Sequence, residues 1–338
     1  MNHRERVHAA LRGAPVDRVP VALWRHFPND DLRAEGLAAR VVEFQKKFEF
    51  DFVKVTPASG YPAEMYGATF RAPSAGSARI REGTRERVTF PVNALADWDK
   101  IAPLDAKNPV FGRELAALKL IRQQLGAEIP ILQTIFSPLY SAHNLAGERM
   151  FADLRAHPDV LRRALKSLTE TTARFAVESL RAGADAIFFA TQMATRQYFT
   201  GDEFRAFGET YDLQVLEGLR AAKPDFVFLH NHGIDIYFDL LARWPVDVVN
   251  WHDRRTAPSL KQAREILRRS TQNDKALAGG INEWDTLAAK SRDAITAEVR
   301  DAIAQTDGRG FILAAGCVIP VDTPEENIRA VMEAVGVA

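Results

Sequence analysis

Short apolar runs rich in β-forming residues alternate with longer helical patterns along nearly the whole chain, and this rhythm restricts the fold more than any single motif. The runs cover residues 20–24, 51–56, 130–136, 184–190, 225–229, 246–251, 275–281 and 310–315. Most are apolar throughout rather than alternating, which is the pattern of parallel strands covered on both faces. Helical spacing of apolar residues fills 32–48, 109–125, 150–182, 201–222, 236–243, 259–269, 284–306 and 324–335, with His157-Pro158 marking a break and restart in the third. About eight strand–helix repeats predict a (β/α)8 TIM barrel, with a doubly wound open sheet as the alternative. Residues 58–128 are too long for one crossover helix. Their stretch ATFRAPSAGSARIREGTRERVTFPV reads as short strands and turns, an excursion beside the barrel mouth after strand two. Residues 1–18 read as an N-terminal helical arm, and no linker, repeat or low-complexity tract divides residues 1–338, so one barrel domain is expected.

Lys plus Arg and Asp plus Glu stand at 44 each in 338 residues. A net charge of zero gives no electrostatic case for nucleic acid or an anionic membrane as the main partner. The single cysteine, Cys317, rules out an intrachain disulfide and fits a reducing compartment. The segment MNHRERVHAALRG has no apolar signal-like core, and no apolar run approaches the ~20 residues of a membrane helix. A soluble, cytoplasmic protein is expected.

The working end of such a barrel lies at the C-terminal ends of its strands. Five of the eight histidines and the one cysteine fall at or just beyond the predicted strand ends: His26, His143, His230, His232, His252 and Cys317. In FLHNHG, residues 228–233, alternation sends His230 and His232 to one face and Asn231 to the other. Two imidazoles with a thiolate from another strand make a zinc triad with an open position. The competing readings are core histidines and a small buried cysteine. His252 and His143 are candidates for catalytic roles. His252 is also a further metal candidate, unless it is a histidine bonded to Asp253 or to substrate. Arg25 is read as an anion clamp or a salt bridge at the mouth. His26, Gln192 and Asn282 are candidate substrate contacts that loop hydrogen bonding would equally explain. No G-x-S-x-G elbow, Walker loop or G-x-G-x-x-G is present.

Several segments in consistent order resemble the uroporphyrinogen decarboxylase superfamily: RERVHAALRGAPVDRVPV, SPLYSAHNLAG, AGADAIFFA, GGIN and GFILAAGCVIPVDTPEENIRAVMEAV. The resemblance implies a barrel with its site at the strand ends. Its decarboxylase branch strips carboxyl groups from a tetrapyrrole without metal or cofactor. Arg25 matches the first arginine of that branch. Asn29 stands near its second arginine and Pro57 near its aspartate. His143 or Asn144 stands at its tyrosine, and Cys317 replaces its late histidine.

A second branch, of zinc-dependent methyltransferases working with a corrinoid protein, carries H-x-C on strand five and a later cysteine. This chain has His230-Asn231-His232 and Gly316-Cys317, so His232 stands where that branch has cysteine. The resemblance therefore implies Zn2+ on His230, His232 and Cys317. It also implies methyl transfer between a corrinoid, free or on a partner protein, and a small thiol or oxygen substrate. One thiolate fewer makes the metal more Lewis acidic and puts the usual thiol in question. The alternatives are decarboxylation of a porphyrinogen-like polyacid, in heme biosynthesis, and a non-catalytic tetrapyrrole- or corrinoid-binding barrel.

Overall fold

The structure is a computed structural model that describes residues 1–270 and 275–337. Its main sheet has eight strands: β1 Val21–Ala22, β2 Val53–Val55, β3 Ile131–Phe136, β4 Ala186–Thr191, β5 Val227–Asn231, β6 Val248–Trp251, β7 Ala276–Ile281 and β8 Phe311–Ala315. The order is β1-β8-β7-β6-β5-β4-β3-β2, and every neighbouring pair is parallel. This is the (β/α)8 barrel that the alternation predicts. Nearly every strand residue is buried, which explains why the runs are apolar throughout rather than alternating.

β1 and β2 form the seam. Instead of a ladder, the Asp51 backbone N–H donates to the Val21 carbonyl at 2.8 Å, and the Val21 N–H donates to Asp51 Oδ2 at 2.8 Å. The same buried carboxylate accepts from Arg6 Nη1 and Arg18 Nη1, each at 2.6 Å, and lies 3.2 Å from His3 Nδ1. The first helix, His3–Leu11, is thereby tied to the seam.

Aromatic side chains fill the barrel below its C-terminal end. Phe188 stacks on Phe228 at 4.9 Å between centroids, and Trp24 meets Phe188 edge-on at 5.4 Å. Such pairs each contribute roughly 0.5–1.5 kcal/mol beyond the area they bury. Of these rings, Trp24 and Phe188 also line the cavity at the strand ends.

Several helices depart from their predicted bounds, each for a local reason. The break at His157 is present, between Arg149–Ala156 and Pro158–Arg181. The segment expected as a helix over 236–243 holds only the turn Phe238–Leu241, because Ile236 is taken up in an antiparallel bridge with Thr195. The helix expected over 284–306 is divided. A wide turn over Glu283–Leu287 is capped by Asn282, and a new helix, Arg292–Thr306, starts under Ser291. The helix Pro138–Ala146, capped by Ser137, follows β3 in a stretch to which the sequence reading assigned no element. Residues 58–128 carry the ribbon Phe70–Arg71/Glu86–Arg87, several short turns and the crossover helix Pro109–Leu125. No described helix is long and apolar enough to cross a membrane.

Candidate metal centre and cavity

β5 and β6 lie in register with His230 opposite Asn250. The two-residue alternation then places His232 and His252 one step further on, on the same inward face. Cys317 arrives two residues after β8. Its Sγ lies 3.6 Å from His230 Nε2 and 3.5 Å from His232 Nδ1, and His252 Nε2 is 3.2 Å from His232 Nδ1. One ligand atom from each of these four residues falls within 4.8 Å of the others.

Hydrogen bonds behind the rings set which nitrogens face inward. Asn250 Nδ2 donates to the carbonyls of Ala278 and Ala315, at 3.0 and 3.2 Å. Its Oδ1 is therefore an acceptor, 2.6 Å from His230 Nδ1, which must carry the proton. The lone pair of His230 is left on Nε2, toward Cys317. His252 Nδ1 sits 3.0 Å from Glu283 Oε1, so its Nε2 also turns inward. Outer partners of this kind fix imidazole orientation in metal sites. With His232 Nδ1 and His252 Nε2 facing each other, either a proton or a cation must lie between them. Three imidazoles and one thiolate match zinc's preference for nitrogen and sulfur.

Electrostatics follow the same division. Burial, reinforced by the charges His232 and His252 would carry, holds His230 well below the ordinary imidazole range. Burial likewise lowers His232. Burial also opposes a charge on His252, but hydrogen bonding to Cys317 and Glu283 carries its pKa above the usual value. Glu283 is buried too, and its bond to His252 outweighs that burial and keeps its carboxyl below the usual range.

The cluster lies in the wall of a cavity of about 560 Å³, a size that suits a small molecule. Among its lining residues Trp24, Phe188 and Lys54 are buried, whereas Arg79 is exposed and Glu82 and Trp284 are partly exposed. Arg79 and Glu82 come from the 58–128 segment, as does Ser59. Burial pushes the Lys54 ammonium down to about 7, partly countered by the Cys317 charge. Burial, then the Lys54 charge, pushes His26 down to about 3.

The sequence candidates divide clearly. His230, His232, His252 and Cys317 come together, and His26 and Gln192 line the same cavity. Arg25 does not. Alternation turns Trp24 and His26 inward and Arg25 outward, where its guanidinium lies over Phe27 and Phe44 and donates to the Val321 carbonyl at 2.9 Å. Asn282 is a helix cap that accepts from the N–H groups of Trp284 and Asp285 at 3.0 and 2.9 Å, and it does not line the cavity. His143 packs on Phe151 with Nε2 3.5 Å from Glu148, while Tyr140, one turn earlier, reaches the cavity instead. His252 is bonded to Glu283 rather than Asp253, whose Oδ1 accepts from the Gly280 N–H at 2.9 Å.

Asn250, Glu283 and Lys54 escaped the sequence reading. Asn250 shares the parity of His252, which would have marked it. Lys54, a lone charge inside an apolar run, was a visible anomaly. Glu283 had no sequence signal, since its direction depends on the wide turn it begins.

Comparison with known proteins bears on the family of the chain. The family model described as uroporphyrinogen decarboxylase (URO-D) matches residues 2–337. A methylcobamide:CoM methyltransferase, MtbA of Methanosarcina mazei, is 22% identical over 345 residues, covering 98% of this chain and 96% of its own. MtaA of Methanosarcina barkeri, with the same activity in its name, is 26% identical over 355 residues, covering 98% and 96%. A solved methyltransferase from Methanosarcina mazei superposes with a TM-score of 0.80 at 22% identity, covering 99% of this chain and 98% of its own. The barrel, the ordered segments and the full-length match together place this chain in the uroporphyrinogen decarboxylase family.

Proposed function

We propose that the protein transfers a methyl group between a corrinoid and a small thiol or oxygen substrate, at a metal site formed by His230, His232 and Cys317. The observation that carries this reading is the convergence of potential ligand atoms from His230, His232 and Cys317, with one from His252 beside them, all within 4.8 Å in the cavity wall. The relatives named for corrinoid-linked methyl transfer support it. Zinc, if held there by His230, His232 and Cys317, would supply Lewis acidity that lowers the pKa of a substrate thiol or hydroxyl.

The chain's own residues do the rest. Asn250 keeps the His230 Nε2 lone pair turned to the cluster. His252 Nε2, backed by Glu283, receives the proton that the substrate heteroatom gives up as it takes the methyl group. The corrinoid leaves the exchange with the electron pair of the broken cobalt–carbon bond. The buried rings of Trp24 and Phe188 surround Lys54 with low-dielectric material, which strengthens electrostatic interactions in the cavity. The cavity suits the small substrate, and the corrinoid, free or carried by a partner protein, approaches from the mouth. The decarboxylase alternative leaned on Arg25, and that side chain faces away from the cavity.

Metal analysis of untagged protein, followed by mixing with methylcobalamin and a thiol, tests the reading. About one zinc per chain is expected. His230→Ala and Cys317→Ala should lose it while keeping their circular dichroism, and the absorbance of methylcobalamin should fall only with loaded protein. Metal-free protein that decarboxylates uroporphyrinogen would overturn the proposal.

A further inference from the structure

Arg25 is a candidate that the cavity leaves unused. It lies in a small cleft on the outside of the barrel, against the helices Ala34–Phe48 and Glu325–Ala334. The cleft measures about 50 Å³, several times the space one water molecule needs. None of its residues lines the cavity that holds the His/Cys cluster.

The Arg25 guanidinium is only partly exposed, 5.2 Å from the ring centre of Phe44 and 5.5 Å from that of Phe27. Rings that meet a guanidinium face leave its donors, which all lie in its plane, unsatisfied. Of five such N–H donors one is used among the described residues, by the Val321 carbonyl at 2.9 Å. Nε is buried and has no hydrogen-bond partner. No carboxylate pairs with Arg25 among the described residues, and Glu43 and Glu325 act on it through their charge alone. Those two acids are already engaged: Arg40 bonds Glu43, and Lys47 bonds Glu325. Arg40 also lies over Phe27, 5.9 Å from its centre, so two guanidinium groups share one ring. Burial, and then the Arg40 charge, hold the Arg25 pKa below its ordinary value. Three cations and two matched acids leave one positive charge in the cleft uncompensated, and it belongs to Arg25.

We propose that this cleft binds a small oxyanion of phosphate type, held by the unused N–H groups of Arg25 and the charges of Arg40 and Lys47. A guanidinium fork matches two oxygens of a phosphate, and the nearly two negative charges of that group suit a site with three cations. The occupant is either the free ion or the phosphoryl end of a larger molecule, whose remainder lies in solvent beyond the exposed Glu43 and Glu325. The site backs onto the cavity wall. Trp24 and His26 flank Arg25 in sequence and line the cavity, and Val321 lies four residues after Cys317. The site stands whether or not the chain transfers methyl groups.

Calorimetric titration of the full-length protein, in a buffer free of phosphate, tests the assignment. The probes are inorganic phosphate, glycerol 1-phosphate and acetate. Phosphate or its ester should saturate one site per chain, about 10-fold or more tighter than acetate. Arg25→Gln should weaken that binding about 10-fold or more, the range of charge-assisted hydrogen bonds lost from a partly buried site. Should that variant fail to fold, Arg40→Gln combined with Lys47→Gln alters only partly exposed side chains and should weaken binding about 3-fold or more. His230→Ala should bind phosphate as the unaltered protein does, which separates this site from an anion held on zinc. The tighter of phosphate and its ester identifies the occupant as the free ion or as the end of a larger molecule. No saturable binding, acetate bound as tightly as phosphate, or binding that survives Arg25→Gln and is lost in His230→Ala would overturn the proposal.

Discussion

Asn250 acts on the cluster from outside it, because two backbone carbonyls fix its amide and the amide fixes the His230 proton. Asn250→Ala should therefore leave the fold intact and weaken zinc binding about 10- to 100-fold in a chelator competition. Lys54 yields a prediction of a different kind. Its pKa falls from 10.5 to about 7 in the folded chain, with burial the cause and the Cys317 charge the one opposing influence. Below pH ~7 both folded and unfolded states carry the charge, and the folded state bears its full desolvation penalty. Between about 7 and 10.5 the folded state sheds the proton first, and the penalty fades. Lys54→Met should accordingly stabilise the protein by on the order of 1–3 kcal/mol near pH 6, and the gain should shrink toward pH 10 in urea titrations. A gain independent of pH would show that the charge is not its source.

At the level of elements, the strands were legible and the helix ends were not. An apolar run of five or six residues can do little but enter the sheet, so all eight strands lie within or overlap their predicted runs. Helix breaks depend on partners distant in sequence. Ile236 is claimed by Thr195, and Asn282 caps a turn where the spacing of apolar residues suggested loop and then uninterrupted helix. The site followed the same division. His230, His232 and Cys317 were readable because strand parity and strand order locate them. Arg25 was misplaced because parity was applied to β5 and not to the end of β1. The glycines at the end of β7 show what the element requires. Gly280 has φ +101°, and a Cβ there would stand 2.5 Å from Ala302 Cβ on the helix behind. Gly280→Ala should cost about 2 kcal/mol or more in chemical denaturation, from backbone and packing together.

For the whole molecule, a metal that binds only the folded chain adds to its stability. Removing it with a chelator should lower the melting temperature, and readdition of zinc should restore it. The gain is about 4 kcal/mol when free metal is 1,000 times Kd. His230→Ala should abolish the response. The seam between β1 and β2 has a separate consequence. The barrel is fastened there by one carboxylate, Asp51, rather than by a row of backbone pairs, and among the described residues its guanidinium partners are Arg6 and Arg18. The opening residues are therefore the clasp of the cylinder and not an appendage to it. A chain shortened to begin at residue 19 would leave a bare anion between two strands, and the ring would come undone at that one place.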